Sequence, residues 1–130
     1  MLTSRERVRK VLNHEVPDRV PMDLGSTPVT GMAVSTVSKL RRALGLDRKG
    51  DRVKVVEPYQ MLGEIANDLK EALGVDVVGL EGRKNLFGFE NRGWKPWELF
   101  DGTSVLVPEK FNIEPEPDGS VLMYPEGDRS

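Results

Sequence analysis

An α/β fold is what this sequence predicts, and two observations predict it. Stretches of helical periodicity alternate with short apolar runs bounded by glycine and proline, the pattern of helices laid against a sheet. Two of the helical stretches also stop on glycines, Gly45 and Gly74, which is the usual way a helix ends before a change of structure.

The elements follow in order. Thr3 is placed to cap a helix, with Glu6 three residues later as a capping box requires. Val8, Val11 and Leu12 give that helix an apolar face, and Pro17 sets its limit. His14 falls in its last turn, where a cation complements the carbonyl end of the helix. Residues 20–24, Val-Pro-Met-Asp-Leu, are short, apolar and bounded by turn residues, so they predict a strand. A loop from Gly25 to Gly31 leads to a helix over about 33–44, with Val34, Val37, Leu40 and Leu44 on one stripe and Arg41 interrupting it. Residues 53–56 are extended, but Pro58 cuts them short, and their place in a sheet stays open. A helix over about 61–73 follows, with Leu62, Ile65, Ala66, Leu69 and Leu73 on one face. Residues 75–80, Val-Asp-Val-Val-Gly-Leu, predict a second strand covered on both faces. From Glu81 onward glycine, proline and aromatic residues dominate. Residues 94–107 predict a β-hairpin turning at Asp101-Gly102, and residues 121–124 a last short strand. The reading is of one organised body over 1–93 and a β-hairpin excursion over 94–130 that is not an independent domain.

Charged residues make up 31% of the chain, the net charge is −2, and both signs are mixed along it. That balance gives no reason to expect nucleic acid or a membrane as a partner. There is no cysteine, which excludes disulfides, thiol catalysis and thiolate metal sites on this chain and fits a cytoplasmic setting. No apolar run is long enough to span a bilayer.

Three groups of residues carry a resemblance. They are Ser4-Arg5-Glu6-Arg7-Val8 with Leu12-Asn13-His14, then Pro17-Asp18-Arg19-Val20-Pro21, then Leu73-Gly74-Val75-Asp76. With a later Asp101-Gly102-Thr103 hairpin, these resemble the amino-terminal part of the uroporphyrinogen decarboxylase superfamily, which includes corrinoid-dependent methyltransferases. The resemblance implies a (β/α)8 barrel. Such barrels take about 250 residues, so this 130-residue chain is expected to be an incomplete portion of one, with the β-hairpin appended. It implies zinc and a corrinoid partner for the complete methyltransferase-like enzymes, with zinc ligands in a later part of the barrel that this chain does not contain. In the decarboxylases an arginine-bearing loop after the first strand grips the porphyrinogen carboxylates. The matching loop, Gly25-Ser26-Thr27-Pro28-Val29-Thr30-Gly31, has no arginine, which argues against that reaction. The expected function is therefore an amino-terminal fragment or subunit of such an enzyme, inactive alone. The alternative is a binding or assembly module derived from the family.

If the two predicted strands are neighbours, their carboxyl ends bring Asp23, Gly25, Glu81 and Arg83 to one mouth as ligand-lining residues. Each has a plainer reading. Asp23 is also the kind of residue that accepts backbone N–H groups in a turn, and Glu81 and Arg83 also read as a solvated pair. Asp18-Arg19 reads as a turn aspartate and an arginine paired with a nearby carboxylate. No metal ligand and no catalytic residue is assigned. The expected partners are further copies of the chain, which would cover its open strand edges, or a chain that completes the barrel.

Overall fold

The computed structural model describes residues 1–128 and 130. The chain divides into two compact units, interleaved in sequence: Met1–Met32 with Ile65–Leu80, and Ala33–Glu64 with Glu81–Ser130.

The first unit holds helix α1, Ser4–Leu12, and, after the second unit's opening elements, helix α3, Asn67–Leu73. The Thr3–Glu6 capping box forms as predicted: the Thr3 Oγ1 accepts the Glu6 N–H at 3.3 Å, and the Glu6 Oε2 accepts the Thr3 N–H at 2.8 Å. The buried side of α1 is not the apolar stripe. Arg7 is 2% exposed, while Leu12 is 75% exposed. His14 lies one position beyond the helix cap Asn13, in the left-handed region at φ 57°. The His14 N–H meets the Val11 carbonyl and the Glu15 N–H meets the Lys10 carbonyl, the two bonds of a Schellman ending.

Neither predicted strand of this unit forms. Residues 20–24 and 75–80 are irregular. They touch through the Asp76 N–H, which donates to the Met22 carbonyl at 2.8 Å, but the Met22 N–H goes to the Asp76 side chain instead of to a ladder. Apolar character does not mean burial here: Val20 is 84% exposed and Leu80 is fully exposed. Gly79 lies so close to the Ser26 carbonyl that any side chain at 79 would overlap it, so residues 75–80 run against the loop after Gly25 rather than beside a strand.

The second unit is built on a four-stranded mixed sheet in the order β2-β1-β4-β3: β1 is Val53–Glu57, β2 Leu62–Gly63, β3 Lys95–Glu98 and β4 Ser104–Val107. β1 pairs antiparallel with β2 and parallel with β4, and β3 pairs antiparallel with β4. This open sheet overturns the expectation of a barrel portion. Its one parallel pair joins β1 to a strand of the predicted excursion, so the hairpin is part of the main sheet and not an appendage. The segment 53–56, whose place was open, is an inner strand. Its alternating apolar residues face the core: Val53 and Val55 are buried with Val105 and Val107 of β4, Val34 and Val37 of helix α2 (Val34–Ala43), and Phe89 and Phe111.

The helix predicted over 61–73 is shorter, starting at Asn67, because its first residues close a turn and then form strand β2. The Glu57 carboxylate, itself buried, accepts the Tyr59 N–H at 2.8 Å and the Gln60 N–H at 2.7 Å. Met61 then takes φ 55°, and Leu62–Gly63 return as β2. Gly63 must be small, since a Cβ there would lie 2.9 Å from the Val34 Cα.

The hairpin over 94–107 forms as predicted, with Gly102 at φ 79° in its turn. The Leu99 N–H donates to the Thr103 carbonyl, and counting alternate ladder positions back from it puts Pro96 and Glu98 on the outer edge of β3. Proline offers that edge no donor. Trp97 meets Phe111 edge to face at 5.2 Å, and the Lys54 Nζ lies 5.3 Å from the Trp94 ring centre. A separate two-stranded sheet pairs β5, Glu114–Pro115, with β6, Val121–Leu122. Among the described residues no helix is long and apolar enough to cross a membrane.

Candidate functional site

The most highly organised constellation of charged groups lies in the first unit and is an ion-pair cluster of two arginines and two aspartates. The Arg7 guanidinium forks onto Asp18, with Nε donating to Oδ1 at 2.7 Å and Nη2 to Oδ2 at 2.8 Å. Its Nη1 donates to the Asp76 Oδ1 at 2.6 Å, and Nη2 also reaches the Leu2 carbonyl at 2.8 Å. Arg19 approaches Asp76 from another side, with Nη1 donating to Oδ2 at 2.7 Å and Nη2 to Oδ1 at 3.1 Å. Backbone groups complete it. Asp76 accepts the Met22 N–H, Asp18 accepts the Leu2 and Arg19 N–H groups, and Arg19 donates to the Gly74 carbonyl.

Local structure places each member. α1 carries Arg7. The turn after Pro17 carries Asp18 and Arg19. Gly74 in the left-handed region ends α3 and brings Asp76 round. The Asp76 side chain has no exposed surface. Burial pushes its carboxyl up, but the bonds from Met22, Ser4, Arg19 and Arg7 more than offset this and hold it below the ordinary carboxylate range. The Arg7 hydrogen bonds hold the Asp18 carboxyl low in the same way, and Asp18 in turn raises the Arg7 guanidinium above its already high value. Two acids and two bases with their bonds met leave no free proton acceptor. The arrangement fixes three chain segments and carries no acid–base chemistry.

The four residues expected at one mouth fall into both units. Asp23 and Gly25 belong to the first, Glu81 and Arg83 to the second. Asp23 is a loop staple: its Oδ2 accepts the Ser26 Oγ–H at 2.5 Å, and its Oδ1 accepts the Ser26 N–H at 3.2 Å and the Thr30 hydroxyl at 3.3 Å. Gly25 turns the chain at φ 79°, donates its N–H to the Thr30 carbonyl at 2.9 Å, and lies against Ile65, whose Cγ1 would be 2.5 Å from a Cβ at 25.

Glu81 and Arg83 stand at the entry of a tight hairpin-like loop that periodicity did not reveal. The Asn91 N–H donates to the Arg83 carbonyl, Lys84 bridges Glu90, and the Asn85 Oδ1 accepts the Phe87 and Phe89 N–H groups. Phe89, fully buried, anchors the loop. Glu81, Gly82, Arg83, Glu90, Asn91 and Arg92 line an open cleft of about 390 Å³ beside it. The Arg92 Nε lies 2.6 Å from the Glu90 Oε2. The cleft therefore balances two carboxylates against two guanidiniums.

Sequence reasoning missed Arg7 and Asp76 as members of one cluster. A signal existed. Asp76 interrupts an otherwise apolar run, and a charge in such a run has to find an opposite charge. The chain matches no protein-family model, no curated protein and no solved structure.

Proposed function

We propose that this chain serves as the amino-terminal, non-catalytic part of a uroporphyrinogen decarboxylase-like enzyme of the corrinoid methyltransferase type. One observation supports the reading above others. The three separated groups of residues that carry the resemblance, around Arg7, around Asp18-Arg19 and around Asp76, converge on one ion-pair cluster. Residues that hold each other in space form a coherent scaffold, which is what an enzyme's opening segment supplies. The candidate ligand residue Asp23 is bound up in its own loop, which fits a part that positions other groups rather than reacts.

The complete enzymes suggested by the resemblance use zinc and a corrinoid partner. This chain's donors do not fit zinc: it has one histidine and no cysteine, and no group of three or more metal-ligating side chains occurs among the described residues. No step through either group is assigned to it.

Exposed apolar side chains favour a second polypeptide or a second copy as the cover of the first unit, since Val16, Val20, Val29, Val78 and Leu80 all stand in solvent. The test is an assay of the purified chain for uroporphyrinogen decarboxylation and for methyl transfer between methylcobalamin and a thiol, joined to a reading of the flanking DNA. The expected result is no turnover, and a coding sequence with histidine and cysteine zinc ligands in the same or an adjacent frame. Turnover by the chain alone, or flanks with no such sequence, would overturn the proposal and leave the assembly-module alternative.

A further inference from the structure

Two turns of the second unit are built alike, Leu99-Phe100-Asp101-Gly102-Thr103 and Glu116-Pro117-Asp118-Gly119-Ser120. In each, the first residue's N–H donates to the last residue's carbonyl, at 3.0 Å from Leu99 to Thr103 and at 2.8 Å from Glu116 to Ser120. The glycine N–H donates to the first residue's carbonyl at 2.9 Å in both. The aspartate Oδ1 accepts the N–H two residues on, at 3.0 Å from Thr103 and at 2.9 Å from Ser120. Both aspartates and both glycines are exposed, and the glycines take φ 79° and 86° with open space where a side chain would stand.

Aspartate followed by glycine carries a reaction of its own, because glycine leaves its backbone nitrogen unshielded. That nitrogen bonds to the aspartate Cγ, and the amide proton and a hydroxyl of the carboxyl leave as water. Water then reopens the cyclic imide. Where it breaks the bond between the nitrogen and the aspartate α-carbonyl, the main chain runs on through the former side-chain carboxyl and is one methylene longer. We propose that Asp118 is a site of this isomerisation and that Asp101, in a matching turn, is protected from it.

The turn's own bonds oppose ring closure at both sites. The attacking nitrogen has its proton on a carbonyl, and the carboxyl it must reach is held on the next N–H along. The turn has to open first, so the rate follows the population of the open form. What each turn closes decides that population. Gly102 joins β3 to β4 through four register pairs, from Glu98–Ser104 to Lys95–Val107. β4 is also paired with β1, and its Val105 and Val107 are fully buried. The Lys39 Nζ lies 4.0 Å from the Asp101 carboxylate as well. Gly119 joins β5 to β6 through two register pairs in a separate sheet, and Val121 and Leu122 of β6 are 46% and 43% exposed. A two-stranded ladder this short is marginal in water. Beyond it the Asn112 side chain clamps Tyr124, with Oδ1 accepting the Tyr124 N–H at 3.0 Å and Nδ2 donating to the Tyr124 carbonyl at 3.2 Å.

The test incubates the full chain at physiological temperature and pH in heavy-oxygen water, which marks each ring opening with a solvent oxygen, and weighs the tryptic peptides that carry the two turns. The same incubation in urea gives the rate of each site without structure. Folding is expected to raise the ratio of label at Asp118 to label at Asp101 by about fivefold or more over its unfolded value. Asn112→Ala, checked by circular dichroism for intact folding, removes the clamp without touching either turn. It is expected to speed labelling at Asp118 by about twofold or more and to leave Asp101 unchanged. A ratio no higher in the folded chain than in the unfolded one would overturn the proposal, as would an Asn112→Ala variant in which both sites speed up alike or neither does.

Discussion

Asp76 is a charge with no exposed surface, and its energetics follow from its four partners. Removing one side of a buried, fully bonded ion pair leaves the other uncompensated. Asp76→Ala is therefore expected to cost about 3–5 kcal/mol in urea unfolding. Arg7→Lys is expected to be destabilising as well, because an ammonium cannot fork onto Asp18 and reach Asp76 at once. Loss of less than about 1 kcal/mol in Asp76→Ala would show the cluster to be incidental. The pH dependence has a definite sign. Asp18 and Asp76 hold their protons less tightly when folded than when unfolded. Their stabilisation is then complete above the ordinary carboxylate pKa and is lost as pH falls through the depressed native values. The Tm is expected to drop below about pH 4, and Asp76→Asn to drop less steeply. A wild-type Tm level down to about pH 2 would contradict this.

At the scale of elements, what was legible was what local chemistry decides alone. The capping box at Thr3, the helix near 34–43 and the hairpin turning at Gly102 follow from residues close in sequence. Residues 20–24 and 75–80 were misread because an apolar run says nothing about which neighbour its backbone finds. There Met22 finds a carboxylate, and Gly79 finds a loop. The helix over 61–73 was overextended for a local reason that hydrophobic periodicity does not count: the buried Glu57 carboxylate takes the N–H groups of Tyr59 and Gln60, two and three residues on, and holds a turn. The candidate site was legible in its residue types but not in its grouping. Asp18-Arg19 was correctly read as a turn aspartate and a paired arginine, while Arg7, beside them in the cluster, was given no role. One element invites a stabilising change. His14 occupies a left-handed position at φ 57° that glycine adopts without steric cost. His14→Gly is expected to raise stability by about 1 kcal/mol, measured as a shift in the denaturation midpoint at constant slope.

For the whole molecule, the expectation that further copies pair through an open sheet edge meets an obstacle in Pro96, which faces outward on β3. The first unit, for its part, leaves Val16, Val20, Val29, Val78 and Leu80 exposed. Zinc is expected to leave the purified chain on dialysis, and a stoichiometric zinc content afterwards would show a donor set other than histidine and cysteine.

The parallel pairing of Val53 with Val105 also sets a clock. β1 leaves the ribosome long before β4 exists, so the inner strand of the sheet waits for a partner from the far half of the chain. The β3–β4 hairpin, local and proline-guarded, is free to form first and dock on β1 afterwards. Destabilising the hairpin turn with Gly102→Ala is then expected to slow refolding, whereas Val53→Ala is expected mainly to speed unfolding. Stopped-flow chevrons of the two variants would reverse that assignment if Val53→Ala were the one to slow the folding arm.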